Sequence, residues 1–504
     1  MSRPPLLILQ MQRMGDLVLS FPLLGWLAAA FPAHPLWVVG ESAFFEPLLP
    51  LSPQAAYFRY NGIPDFKGQT FHAVLNLSHR PEAARLAAAA RADIRIGPYL
   101  DTDDTLRIQG DWQIYRASLT HNNRYNLFHW ADLNALDLIP QDAMLRTRWP
   151  LPRDLSSAPP GSARIGLFLG ASEPDKHPEA DFWTPLARLL LRAGHKPVLL
   201  GGPAEKALGS QVAASLKAPA LNLCGRFRID ALARFIAGLD LLITPDTGPM
   251  HIAAWVGAPV LNLSLGPVNP WETGPFSPGH HVVRPLLDCN GCWSCIRPGL
   301  ECKAALKASR VAALTAALLS GRSLETAAPH ARNMELLRTA RDGHGLFSLD
   351  PLCIPARNAA FLTTATRSSA HPPDFHPLDP AFPQADLAAA RNDLSRFWQA
   401  WFGALFLRLP AENSRKRWER VASGHPRAAA AFQSGLADLA RTLARTVRSD
   451  AVPLLRDPDF WREVPTPLRP LSSYLQLSVQ NTPSRPSLFR AVSLVEQLRA
   501  ETTE

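Results

Sequence analysis

Three short stretches of this chain hold residue types that could do chemistry. In MQRMGDLVL (residues 11–19), Gly15 and Asp16 follow an apolar run and open an amphipathic segment. Asp16 has two readings: an N-cap that accepts from a free backbone N–H, or a carboxylate base at the carboxyl end of a strand. In GASEPDKHP (residues 170–178), Ser172 offers a hydroxyl donor and Lys176 an ammonium, a pair suited to phosphate. A solvated loop lysine is the plain alternative. In PDTGPMHI (residues 245–252), Asp246, Thr247, Gly248 and His251 stand where a strand gives way to a helix. Glycine there permits close backbone approach, and the helix turns its N–H groups and positive dipole end toward an anion. A capped helix with a Gly-Pro turn would read similarly.

A fourth group is Cys289, Cys292, Cys295 and Cys302, spaced C-x2-C-x2-C-x6-C. Four thiols so close together can close on one tetrahedral zinc, or hold an iron–sulfur cluster although the last spacing is unusual. Disulfides or free thiols are the other readings. Cys224 and Cys353 read as buried bystanders.

The elements that must position these loops repeat one grammar. Residues 6–9 form an apolar strand, 17–31 a helix and 35–39 a second strand, a βαβ unit that implies a parallel sheet. Strands at 72–77 and 94–96 flank an alanine-rich helix at 81–92. Residues 150–163, rich in proline and serine, read as a linker. The pattern then restarts. Strands are expected at 165–169, 197–200, 239–244 and 259–265, and helices at 181–193, 230–238 and 250–256. Two doubly wound domains place a ligand in the cleft at the carboxyl ends of their strands. From residue 326 the character changes. Lys416 is the only lysine, proline-rich stretches such as 371–383 alternate with helices, and Leu394, Phe397, Trp398, Trp401, Phe402, Leu405, Phe406 and Leu409 fall at helical spacing. Such a stripe reads as core packing.

Composition narrows the classes. In 504 residues, 47% are hydrophobic and 19% charged, which excludes a disordered polymer. The net charge of +9 divides almost evenly, +4 on residues 1–325 and +5 on 326–504, with no like-charged run, so nucleic acid is not an expected partner. No apolar stretch reaches the length of a membrane span. Gln10, Gln12, Arg13 and Asp16 interrupt the N-terminal apolar run where a signal peptide would be continuous, so a cytoplasmic protein is expected.

Together and in this order, LLILQMQRMGDLVLSFPLL, GASEPDKHPEADFW and LDLLITPDTGPMHIAAWVGAPVLNLSLGP resemble glycosyltransferase family 9, which includes ADP-heptose:lipopolysaccharide heptosyltransferases. The resemblance runs from about residue 5 to 320. It implies an α/β GT-B fold of two facing Rossmann-like domains. Residues 1–155 would be the acceptor side and 156–325 the nucleotide-sugar side, with 326–504 a mostly helical extension outside the resemblance. It also implies inverting transfer of a heptose or related sugar from an ADP-sugar to a lipid-linked, lipopolysaccharide-core-type acceptor at the inner membrane surface, with no cofactor required.

Carried over, Asp16 matches the general base. Ser172 and Lys176 match the residues that hold the pyrophosphate, and Asp246, Thr247, Gly248 and His251 match the D-[TS]-G-x-x-H donor element. Glu205, after Gly201-Gly202, is a looser match to a ribose-binding glutamate. Ala171 departs from a frequent second hydroxyl residue, which leaves the donor sugar open. Asp101-Thr-Asp-Asp104 imitates a D-x-D metal motif but reads as a solvated turn. The rival readings are a family 9 enzyme with another donor and a glycan or protein acceptor, a degenerate carbohydrate-binding or scaffold protein, and a UDP-sugar epimerase.

Overall fold

The computed structural model describes residues 3–62, 68–157, 162–216, 220–287, 289–293, 295, 300–320, 334–353, 384–448, 455, 460–461, 464–482 and 485–503. The expected boundary at 325/326 and the proline-rich 371–383 lie outside them. Backbone contacts gather into two units. One comprises Met1–Ala83, Ala89–Arg95 and Phe128–Arg357; the other comprises Ala84–Ala88, Ile96–Leu127 and Asn358–Glu504.

The first unit contains two parallel-dominated sheets. In the first, β1 (Leu6–Leu9), β2 (Leu36–Gly40), β3 (Ala56–Arg59) and β4 (Thr70–Asn76) run parallel in the order β3-β2-β1-β4. The central β1 reads Leu-Leu-Ile-Leu and is wholly buried, as a strand covered on both faces requires. One continuous helix over 17–31 was expected, but two form, Met14–Leu19 and Phe21–Ala30. Pro22 has no N–H to give to the preceding turn, and the Ser20 hydroxyl donates to the Leu17 carbonyl at 2.6 Å, so the chain breaks there.

Two further strands, β5 (Arg91–Leu100) and β6 (Leu106–Gln109), pair antiparallel. The second sheet of the first unit then builds from β7 (Arg164–Phe168), β8 (Lys196–Leu200), β9 (Leu221–Asn222), β10 (Leu241–Pro245), β11 (Val260–Leu263), β12 (His281–Pro285), β13 (Met334–Arg341) and β14 (Phe347–Cys353). Their order is β14-β13-β12-β11-β10-β7-β8-β9. Every pair is parallel except β12–β13 and β13–β14. Thus the stretch expected to open a helical extension begins with two strands that complete this sheet. Their signal is obscured because the buried first half of β13 holds a charged residue, Glu335, which pairs with Arg284 at 2.5 Å.

A buried cluster ties these layers together. The Arg341 guanidinium lies 3.3 Å from the Asp132 carboxylate and stacks over Phe276, 3.8 Å from the ring centroid, and over Trp149 at 4.5 Å. Asp132 also accepts from the Phe347 N–H at 2.8 Å. Nearby, Phe21 meets Trp255 edge-on at 5.4 Å, joining the helix after β1 to the helix after β10.

The second unit is helical around an aromatic core. Helices Gln384–Leu407, Glu412–Gly424, Pro426–Arg448, Arg469–Asn481 and Arg485–Thr503 pack with Asp111–Ser118 and the β5–β6 hairpin. The stripe expected to be core is core: Phe397, Trp398, Trp401 and Phe402 are each at most 1% exposed. Phe402 packs on Tyr115 at 4.6 Å, and Phe406 on Trp112 at 5.2 Å. The Asn481 side chain covers the edge of β6, donating to the Ile108 carbonyl and accepting from its N–H. The C-terminal helices therefore share one core with a segment from the front of the chain. Phe402→Ala should destabilise this unit by roughly 3–5 kcal/mol; an unchanged denaturation midpoint in that variant would show that the shared core is not cooperative.

Candidate active site

The loops singled out by residue type all leave the carboxyl ends of parallel strands: 10–16 after β1, 170–178 after β7, 201–205 after β8, and 246–251 after β10. Within the first unit, the helix starting at Met14 meets the helix Gly248–Trp255. A Cβ at Gly15 would lie 3.1 Å from the His251 ring and press on it, and one at Gly248 would make the flexible Met14 side chain shift. Asp16 stands in the first turn of its helix, and no side chain caps that helix. The N-cap reading of Asp16 is therefore not realised. His251 is 5% exposed, and its Nδ1 has no hydrogen-bond partner. Burial pushes its pKa down to about 4 despite the opposing charge of Asp16 nearby, so the imidazole is neutral.

On the other side of the site, Lys176 sits on a short turn after β7 and lies 3.6 Å from the Glu173 carboxylate. Arg13, from the loop after β1, reaches the same carboxylate at 3.4 Å, so Glu173 links the loops of the two sheets. The turn is held against β11's exit, where Gly266 (φ +69°) leaves no room for a side chain beside the Asp175 carbonyl. Asp246 accepts from the Thr273 hydroxyl at 2.6 Å. Burial raises its carboxyl above the usual range, while Thr273 and Lys176 work against that rise. Ser172 is exposed at the loop's rim, and Thr247 is the residue before the helix, which no side chain caps. The Glu205 carboxylate accepts from the Gly202 N–H at 2.7 Å and lies over Gly170 and Gly201.

The structure thus brings Gly15, Asp16, Gly248 and His251 together at one meeting of loops, and Lys176 and Asp246 at another. Glu205 lies beside Gly170, where the Ser172 loop begins. Glu173, Arg13 and Thr273 were not recognised from sequence. Glu173 lay inside a quoted loop but shows its role only through its two cationic neighbours, and Thr273 stands 27 residues beyond its partner.

The family model described as glycosyltransferase family 9 (heptosyltransferase) matches residues 65–295. That match covers a little under half of the chain, which over those residues resembles glycosyltransferase family 9. Lipopolysaccharide heptosyltransferase 2 of Escherichia coli K12 is 33% identical over 125 residues, 24% of this chain and 36% of the relative. Lipopolysaccharide heptosyltransferase 1 of Pseudomonas aeruginosa PAO1 is 31% identical over 140 residues, 27% of this chain and 38% of the relative. The chain therefore spans little more than a third of these curated relatives. A family 9 glycosyl transferase from Veillonella parvula shares the fold over 63% of this chain and 97% of its own, with a TM-score of 0.50 and 19% identity. The two-sheet arrangement is GT-B, and the residues matched by the family model carry the loops after β7, β8 and β10.

The cysteines follow β12 in the chain, and one of them reaches the Gly266 turn that backs the Lys176 loop. Among the described residues none of Cys289, Cys292, Cys295 and Cys302 is disulfide-bonded, and Cys302 Sγ accepts from the Gly266 N–H at 3.4 Å. Burial first, and then the neighbouring Cys289, Cys295 and Cys302 sulfurs, push the Cys292 thiol up to about 12. Among the described residues no set of three or more His, Cys, Asp or Glu side chains is arranged to hold a metal ion. Asp101–Asp104 is the turn between β5 and β6, where Arg107 lies 3.4 Å from Asp101 and 3.5 Å from Asp103. Its carboxylates are held by that arginine, as a solvated turn would be.

Proposed function

We infer that the chain moves a heptose or closely related sugar from an ADP-sugar to a lipopolysaccharide-core-type, lipid-linked acceptor, inverting the anomeric centre. The observation that carries this reading is the convergence of Asp16 with the Gly248–His251 helix start, beside the loops that hold Lys176 and Asp246. In this reading Asp16 accepts the proton of the acceptor hydroxyl. The oxygen attacks the anomeric carbon from the face opposite the nucleotide, and the carbon–oxygen bond to the diphosphate breaks. Its electron pair moves onto the leaving β-phosphate. Lys176, the Ser172 hydroxyl and the uncapped N-terminus of the Gly248–Trp255 helix stabilise that charge. Glu205 meets the ribose.

These protein groups supply the cationic and hydrogen-bonding stabilisation of the leaving group, so no metal is assigned to the transfer step. Work at the cytoplasmic surface of the inner membrane fits such an acceptor, and among the described residues no helix is long and apolar enough to cross a membrane.

Lys176→Ala tests the donor site. Loss of one charge-assisted contact of about 1.5–3 kcal/mol should weaken ADP-sugar binding roughly 10- to 100-fold. Unchanged affinity by calorimetry would remove Lys176 from the pyrophosphate, and a transfer rate lost to EDTA and restored by Mg²⁺ would overturn the metal-free assignment.

A further inference from the structure

At the opposite end of the second sheet from the donor loops lies a cavity of about 460 Å³. Its position follows from topology. β12 runs parallel to β11, and the cavity opens beside its first residue, His281, which pairs with Arg338 on the antiparallel β13. The size falls within the roughly 300–1,000 Å³ range of small-molecule sites. Its walls are chiefly apolar, with Leu151, Leu155, Leu318 and Leu352 among them.

The polar residues of the lining are Arg153, whose guanidinium donates to the Ala237 and Leu239 carbonyls, together with Asp154, His281 and Arg338. His281 is only 9% exposed, and its Nδ1 is buried with no hydrogen-bond partner. A buried ring nitrogen in that state calls for a partner from outside the protein. Burial pushes the His281 pKa down to about 4, with Arg338 adding to the effect, so the ring is neutral near pH 7 and can present an N–H. The Arg338 guanidinium is exposed at the mouth. The Asp154 carboxylate, the acidic residue of the lining, accepts from the Ser156 N–H and hydroxyl at 3.0 and 2.7 Å, and these bonds, with the charge of Arg338 adding to them, hold its carboxyl below the usual range.

We propose that this cavity binds an amphiphilic monocarboxylate, with its aliphatic body against the leucine walls and its carboxylate between Arg338 and His281. One guanidinium and one neutral N–H donor match a single negative charge. The Asp154 carboxylate in the lining disfavours a dianion such as a phosphate monoester. The site is remote from the strand ends that carry the transfer chemistry, so its occupant is an effector and not a substrate. This inference stands independently of the transfer reaction.

Titration calorimetry on the full chain near pH 7.5, with octanoate as probe, tests it. Octanoate should bind saturably at one site. Octanol, which lacks the charge, and the Arg338→Gln variant should each lose about tenfold in affinity, the worth of one charge-assisted hydrogen bond. Leu318→Trp, which fills the cavity, should abolish binding while ADP-sugar binding persists. Circular dichroism confirms that each variant is folded, and Arg338→Lys, expected to keep part of the affinity, replaces Arg338→Gln if that variant is not. Absence of saturable octanoate binding would overturn the site. Equal affinity for octanol, or for the arginine variants, would overturn the anionic subsite. Tighter binding of octyl phosphate than of octanoate would overturn the monocarboxylate assignment.

Discussion

Replacing Asp16 with Asn should lower the rate of sugar transfer by roughly 10²- to 10⁴-fold while leaving ADP-sugar affinity within about twofold of the parent. The reasoning rests on where the carboxylate stands. It lies in the first turn of a helix after a buried central strand, and it is close enough to His251 to oppose the fall in that residue's pKa. Asn keeps the size and the polar contacts but cannot accept a proton. Because the groups assigned to the diphosphate belong to the loops after β7 and β10, donor binding is expected to survive. The experiment is a pair of measurements on one preparation: ADP released per second with acceptor present, and donor affinity without it. Turnover within a few-fold of the parent would sink the base assignment, and a parallel loss of donor affinity would turn Asp16 into a donor-binding residue.

How much of this site was legible before the fold was known differs from loop to loop. The residues that lie at strand ends were readable because glycine, proline and charge stand out against apolar runs. Leu6–Leu9 and Leu241–Pro245 are buried throughout and so appear as short apolar runs, broken only by Thr244 in the second. The break after Leu19 was not read, since it depends on Pro22 acting on a helix whose apolar pattern continues across it. β13 and β14 were missed for a different reason. They are an antiparallel addition at the edge of a parallel sheet, and their partner, β12, lies 49 residues earlier at the nearest pairing. Membership of the second unit was illegible in principle: Tyr115 and Phe402 meet at 4.6 Å although nearly 300 residues separate them. Glu173 and Thr273 show the same limit within the site. Each acts through a partner from another loop, and spacing along the chain carries no trace of such a pair.

Acid should unfold the first unit at a pH at which most small proteins are still stable. His129, His251, His280 and His281 are all buried, and burial pushes each pKa down: to about 3 for His280, to about 4 for His251 and His281, and well below the usual value for His129. Their unfolded values lie near 6.5. As pH falls through that value the unfolded chain takes up four protons that the folded state refuses, so stability falls with pH. Two carboxyls act in the other direction. Burial raises Asp132 to about 6 against the pull of Arg341, and raises Asp246, so the folded state holds protons there that the unfolded chain has released. The net difference is about two to three protons, or roughly 3–4 kcal/mol per pH unit between about 6 and 4.5. Over that window the loss is about 4–6 kcal/mol, comparable to the lower end of a typical stability of about 5–15 kcal/mol. Urea midpoints measured from pH 7.5 to 4.5 should therefore hold steady above 7 and collapse below 6. His280 offers the sharpest control, because both of its ring nitrogens are buried without partners. His280→Phe should remove about one proton from the slope and move the acid transition lower. A midpoint that stays flat down to pH 5, or a slope unchanged in His280→Phe, would mean that these imidazoles reach solvent or a proton acceptor in the folded protein.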